Sequence, residues 1–142
     1  MGKSRSDYPK AIASGEKYIL KASTVVEAFK ILDKWLEGVP FEYMSEEGKK
    51  RFNRFVVEPL KSFIAEKFLE EKIETAKERA PRWRPAYSKV AEYLIEHPKE
   101  LEEISKMRPM EAYRYLASKL KISWRTVRDA FWAFRYGGIE VW

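Results

Sequence analysis

The chain has 142 residues, 45% hydrophobic and 15% aromatic, which is enough to fill a core and too apolar for a disordered segment despite 35% charge. Cysteine is absent, which excludes disulfides and thiolate metal sites, and the longest apolar run, Ala130 to Phe134, is far short of a membrane span. A net charge of +6 and a pI of about 9.4 point to a polyanionic partner.

Residues 1–22 read as a tail followed by a short helix. The tail carries Lys3, Arg5 and Lys10 and is broken at Pro9; the helix spans about 11–21. No signal peptide is evident, because no apolar stretch follows the basic start. Gly2 and Ser6 match N-myristoylation spacing, read here as chance in a short polar tail. A soluble cytoplasmic protein is the expectation. Glutamine is absent and Asn53 is the single asparagine, against abundant Lys, Arg and Glu. That bias is expected of a thermophile, where labile amides are avoided.

Residues 23–80 form a helical region suited to a structural or dimerisation role. Thr24 and Glu27 stand in capping-box spacing. Val25, Phe29, Leu32 and Leu36 follow at helical intervals until Gly38 and Pro40. Ser45 caps the next helix, which runs toward Arg79 with an apolar stripe of Phe52, Phe55, Val56, Phe63, Ile64, Phe68, Leu69 and Ile73. Pro59 interrupts that stripe and should kink or split the helix. The charges beyond Leu69 read as a solvated face.

Pro81-Arg82-Trp83-Arg84-Pro85 is a linker, extended by its two prolines. Arg82, Trp83 and Arg84 are a secondary DNA-binding element, a basic arm able to enter a minor groove. The alternative is that Trp83 pins the linker to the core. Residues 86–142 then hold helices near 86–96, 99–107, 110–120 and 123–136, with Pro98 and Pro109 at first-turn positions. Gly137-Gly138 stops the last helix, and Ile139-Glu140-Val141-Trp142 is the one strand-like pattern. The fold class is all-α, a multi-helix bundle with room for one short terminal strand.

From Ala112 the chain reads AYRYLASKLKISWRTVRDAFWAFRYGG. Leu116, Ala117 and Leu120 line the inner face of a first helix. Lys121-Ile122-Ser123 make a tight turn, and Ser123 caps a second helix whose buried stripe is Val127, Ala130, Phe131 and Phe134. This arrangement over residues 110–136 resembles the helix-turn-helix of DNA-binding regulators. It departs from that pattern at Lys121, where glycine is usual and a left-handed backbone costs another residue about 1–2 kcal/mol.

The resemblance implies a recognition helix in the major groove. Ser123, Trp124, Arg125 and Arg128 then lie nearest the bases, with Arg125, Arg128, Trp132 and Arg135 on one stripe and Thr126 beside it. Lys119, Lys121 and Arg114 reach phosphates. Residues 104–136 hold eight basic residues against Glu111 and Asp129, so they account for the whole +6 of the chain.

No catalytic set is present: His97 is the only histidine, and no glycine-rich phosphate loop occurs. No metal, cofactor or small-molecule substrate is expected. The leading reading is a sequence-specific binder of double-stranded DNA, a transcriptional regulator acting as a homodimer, and not an enzyme. The alternatives are an accessory protein in replication or plasmid maintenance, and a helical adaptor whose residues 139–142 add a strand to a partner's sheet.

Overall fold

Local chemistry sets most helix ends in this protein. The computed structural model describes residues 7–79 and 83–142, and among these the chain forms seven helices and no strand. Helix α1 is Asp7–Ile19 and α2 is Val25–Glu37, followed by a 3-10 turn at Phe41–Tyr43. Helix α3 covers residues 46–79. Then come α4 (Pro85–Glu96), α5 (Pro98–Ser105), α6 (Pro109–Leu120) and α7 (Trp124–Tyr136). The N-terminal calls on Gly2, Lys3, Arg5 and Ser6 lie outside the described residues, as does Arg82.

Pro85, Pro98 and Pro109 each open a helix, where the missing amide has no intrahelical partner to lose. Pro9 does not break the chain as expected. It sits in the first turn of α1, which tolerates it for the same reason. Thr24 caps α2 through its hydroxyl on the Glu27 amide, but the Glu27 carboxylate accepts from the backbone and hydroxyl of Ser23 rather than from Thr24. Those two bonds hold the Glu27 carboxyl below its ordinary range.

Pro59 does not split α3. The helix meets it with a π turn at Asn53–Val57, in which the Glu58 amide reaches back to the Asn53 carbonyl. A second π turn follows at Glu66–Glu70. Each inserts a residue into the helical repeat. The apolar stripe thus keeps facing one core over residues 46–79, with Phe52, Val56, Leu60, Ile64, Phe68, Leu69 and Ile73 buried. Phe55 alone of the expected stripe is exposed.

Helix α3 is the spine of the molecule. Helices α1, α2 and α5 pack on its 58–65 stretch, α4 on its second π turn, and α7 on residues 71–79. One hydrophobic core joins Phe29 and Leu32 of α2 to Leu94, Leu101, Leu116 and Phe134 of the later helices.

The expected terminal strand is absent. Residues 139–142 run extended onto the start of α2, where the Val25 and Val26 amides donate to the Glu140 and Val141 carbonyls at 3.0 and 2.9 Å. These first-turn amides have no acceptor within their own helix. Ile139 and Val141 are buried, and the Trp142 indole N–H donates to the Ile104 and Met107 carbonyls. The tail's apolar side chains and two of its carbonyls are engaged inside the molecule.

The exit from α7 is equally constrained. A Cβ built on Gly137 would stand 2.4 Å from the Ala76 Cβ, so α7 ends against α3 at a separation that glycine permits. Gly138 follows at φ 90°, and the Ile139 amide returns to the Phe134 carbonyl at 2.7 Å. Gly137→Ala is expected to lower stability by about 2 kcal/mol through overpacking. Adding Ala76→Gly should leave the double variant less destabilised than the sum of the single changes, as read by urea denaturation.

Candidate nucleic-acid interface

The candidate interface begins at the turn between α6 and α7. Lys121 has φ 57° and ψ 44°, the one non-glycine residue with positive φ among the described residues. The sequence places lysine where the backbone is left-handed, as anticipated. The amides of Lys121 and Ile122 both return to the Ala117 carbonyl, closing the end of α6. The Ser123 hydroxyl then accepts from the Arg125 amide at 3.2 Å and starts α7. Ser123 therefore acts as a cap, its oxygen already engaged.

The inner side of α7 fixes its rotation. Val127, Ala130, Phe131 and Phe134 are buried. Phe131 lies against Tyr113 and Trp142 with ring centroids 5.5 and 5.1 Å away, and Phe134 stacks on Trp83 at 5.5 Å. Burial pushes the Tyr113 phenol up, opposed by the Arg128 and Arg135 charges.

The outer side presents a ladder of rings and guanidinium groups. Arg128 stacks between two indoles, 5.4 Å from the Trp124 ring and 4.5 Å from the Trp132 ring. Its Nη2 and Nε also donate to the Asp129 carboxylate at 3.2 and 3.3 Å. Arg125 lies over the other part of this cluster, 5.6 Å from Trp124. Each such cation–ring contact contributes about 0.5–1 kcal/mol at an exposed position. Trp132 is 58% exposed and Tyr136 77% exposed.

Sequence spacing places Arg125, Arg128, Trp132 and Arg135 on one side of α7, and the structure brings Trp124 into contact with that group. Arg128 is half-buried and engaged; Arg125 and Arg135 are exposed; Thr126 is half-buried at the flank. Arg114 and Lys121 are exposed on α6 and the turn. Among the described residues no carboxylate pairs with Arg114, Lys121, Arg125 or Arg135. Lys119 differs, lying 3.9 Å from Glu100 and over the Tyr115 ring.

Of the second element, the described residues are Trp83, Arg84 and Pro85. Trp83 stacks on Phe134 and its indole N–H donates to the Ser88 hydroxyl at 2.7 Å, pinning this segment to the core. Arg84 is exposed. Spacing alone did not assign a role to Asp129, which orients Arg128, or to Tyr136. The signal for Tyr136 was available: residues 124, 128, 132 and 136 recur every four positions.

His97 joins α4 to α5, stacking on Tyr93 and donating from Nδ1 to the Tyr93 carbonyl. Among the described residues no cluster of His, Asp or Glu is arranged to hold a metal ion, and no helix is long and apolar enough to cross a membrane. No family model, curated protein or solved structure matches this chain.

Two measurements test the local chemistry. Lys121→Gly should raise stability by about 1 kcal/mol, since glycine adopts the left-handed backbone without the steric cost; thermal unfolding reads it. The Tyr115 hydroxyl donates to Glu100, and that bond, with burial and the Glu100 charge, pushes the phenol up to about 12. A folded-state value above the ordinary one means this bond stabilises the fold at and below the usual tyrosine range and is lost as pH rises through about 12. Alkaline absorbance titration of the wild type and Tyr115→Phe should differ by one phenol ionising near 12.

Proposed function

We propose that this protein binds double-stranded DNA through α7 and the turn before it, discriminating among sequences, in the service of transcriptional regulation. Replication or plasmid maintenance would use the same chemistry. The observation that carries the reading is the coincidence of charge and exposure. The segment 104–136 accounts for the chain's entire +6, and five of its cations, Arg108, Arg114, Lys121, Arg125 and Arg135, stand exposed without a carboxylate partner among the described residues. Arg125 and Arg135 among them lie on a helix whose opposite side is fixed in the core, so they are rigidly presented.

Roles follow from geometry. Arg125, exposed in the first turn of α7, is the residue assigned to a base edge, where its planar fork suits guanine O6 and N7. Arg128 is held by Asp129 and two indoles, so it orients Trp124 and Trp132. Arg114, Lys121 and Arg135 supply phosphate contacts, and Lys119 joins them on releasing Glu100. A homodimer would place two copies of α7 on half-sites one helical turn apart, about 34–36 Å.

Mobility shift on random duplex at low salt tests the reading. Binding is expected, with log affinity falling against log salt at a slope of about −4.5 if five phosphates are contacted. Arg125→Ala with Arg128→Ala should weaken binding by at least tenfold while the thermal melt stays cooperative. Unchanged binding by that double variant would remove this face from the interface. No binding by the wild type would remove the function.

A further inference from the structure

We propose that the outer face of Trp132 is a stacking site for one unpaired base, giving the protein a preference for duplex DNA with a single-stranded end over fully paired duplex. The inference rests on the duplex-binding reading and specifies the nucleic-acid structure that this face takes.

Trp132 has two faces with different fates. Arg128 covers one, its guanidinium carbon 4.5 Å from the ring centroid, and Asp129 holds that guanidinium in place. Among the described residues no ring or cation is placed against the other face, and the side chain is 58% exposed. The indole is thus braced from behind and open in front. One turn further on stands Tyr136, 77% exposed. Four residues of helix rise about 6 Å. Tyr136 therefore continues the exposed aromatic face beyond Trp132.

Fully paired DNA cannot use this surface well. In a duplex the bases cover one another's faces, and only their edges reach the grooves. An open indole face finds its match in a base that has left the stack, and such stacking is tolerant of base identity because every base has a π face. Charge selects nucleic acid over an apolar protein side chain. Arg135 stands exposed between Trp132 and Tyr136 in sequence without a carboxylate partner among the described residues, and Arg125 flanks the other end of the ladder. A strand leaving the duplex along α7 would carry its phosphates past these cations.

The test compares the full chain on a blunt duplex of about 20 base pairs, the same duplex with a short 3′ tail, and the duplex with an abasic tail of equal phosphate count. Fluorescence anisotropy of labelled DNA gives affinity, and tryptophan emission reports stacking. The expected result is about tenfold tighter binding of the tailed duplex than of the blunt one, with quenched emission. The abasic tail should give most of that preference up. Trp132→Leu should bring the tailed-to-blunt ratio to about one, and Trp132→Phe should keep part of it. Circular dichroism confirms that both variants fold. Equal affinity for blunt and tailed duplex in the wild type overturns the stacking site and leaves duplex binding standing. The same holds for an abasic tail as good as a real one, or for a preference that survives Trp132→Leu. Failure to bind any duplex removes the underlying reading as well.

Discussion

The docking of the C-terminal tail on the first turn of α2 is the constraint on which the rest of the molecule depends. Two backbone bonds, from Val25 to Glu140 and from Val26 to Val141, join the first turn of α2 to the segment after α7. They satisfy helix amides that would otherwise face an apolar surface, where an unpaired donor costs about 1–3 kcal/mol. They also bring Ile139 and Val141 into the core and set Trp142 beneath α7 against Phe131. Here the last residues fix the position of the helix that presents the candidate interface.

That constraint explains why α7 can show an unusual surface. An exposed tryptophan stripe on a loosely held helix would turn inward to bury its rings. Here the inner side of α7 is already filled by Val127, Ala130, Phe131 and Phe134, with Trp83, Tyr113 and Trp142 packed against it. Gly137 fixes its end against Ala76 of α3, and Ser123 with Lys121 fixes its start. The outer rings cannot exchange places with the inner ones. They find partial cover through Arg128, which lies between two indoles and against Asp129.

How far this was legible in the sequence depends on the range of the interaction. Helix starts at Thr24, Ser45, Pro98, Pro109 and Ser123 were readable because a cap or a proline acts within one turn, whereas Pro85, read as the end of an extended linker, opens a helix. The left-handed Lys121 was readable because two helices closing on a short turn require it. Pro59 was read as a kink or a split, and the split misled, because the remedy for its missing amide is a π turn whose bond spans five residues and leaves no compositional mark. The tail misled for a different reason. Alternation of Ile139 and Val141 with Glu140 describes an extended chain, and whether its neighbour is a strand or a helix start is decided by residues more than a hundred positions earlier. Trp83 was weighed evenly between core and groove, and its contact with Phe134 is a tertiary fact.

The ladder also changes what kind of recognition the face supports. A base edge is read by hydrogen-bond donors that a side chain has free to give, so an uncommitted guanidinium suits it best. Arg128 is not uncommitted: taking its guanidinium to a guanine would break two bonds to Asp129 and uncover two indoles. Its free energy is already lowered by those contacts, so a base must offer more than they do. Arg125 faces a smaller penalty, with one ring contact and no carboxylate among the described residues. Both arginines lie within reach of Asp129, and the acid takes Arg128 and leaves Arg125 without a carboxylate among the described residues. In the proposed DNA-binding mode, specificity would rest mainly on the first turn of α7, and the following turns, an aromatic surface braced by Arg128, would contribute stacking and charge.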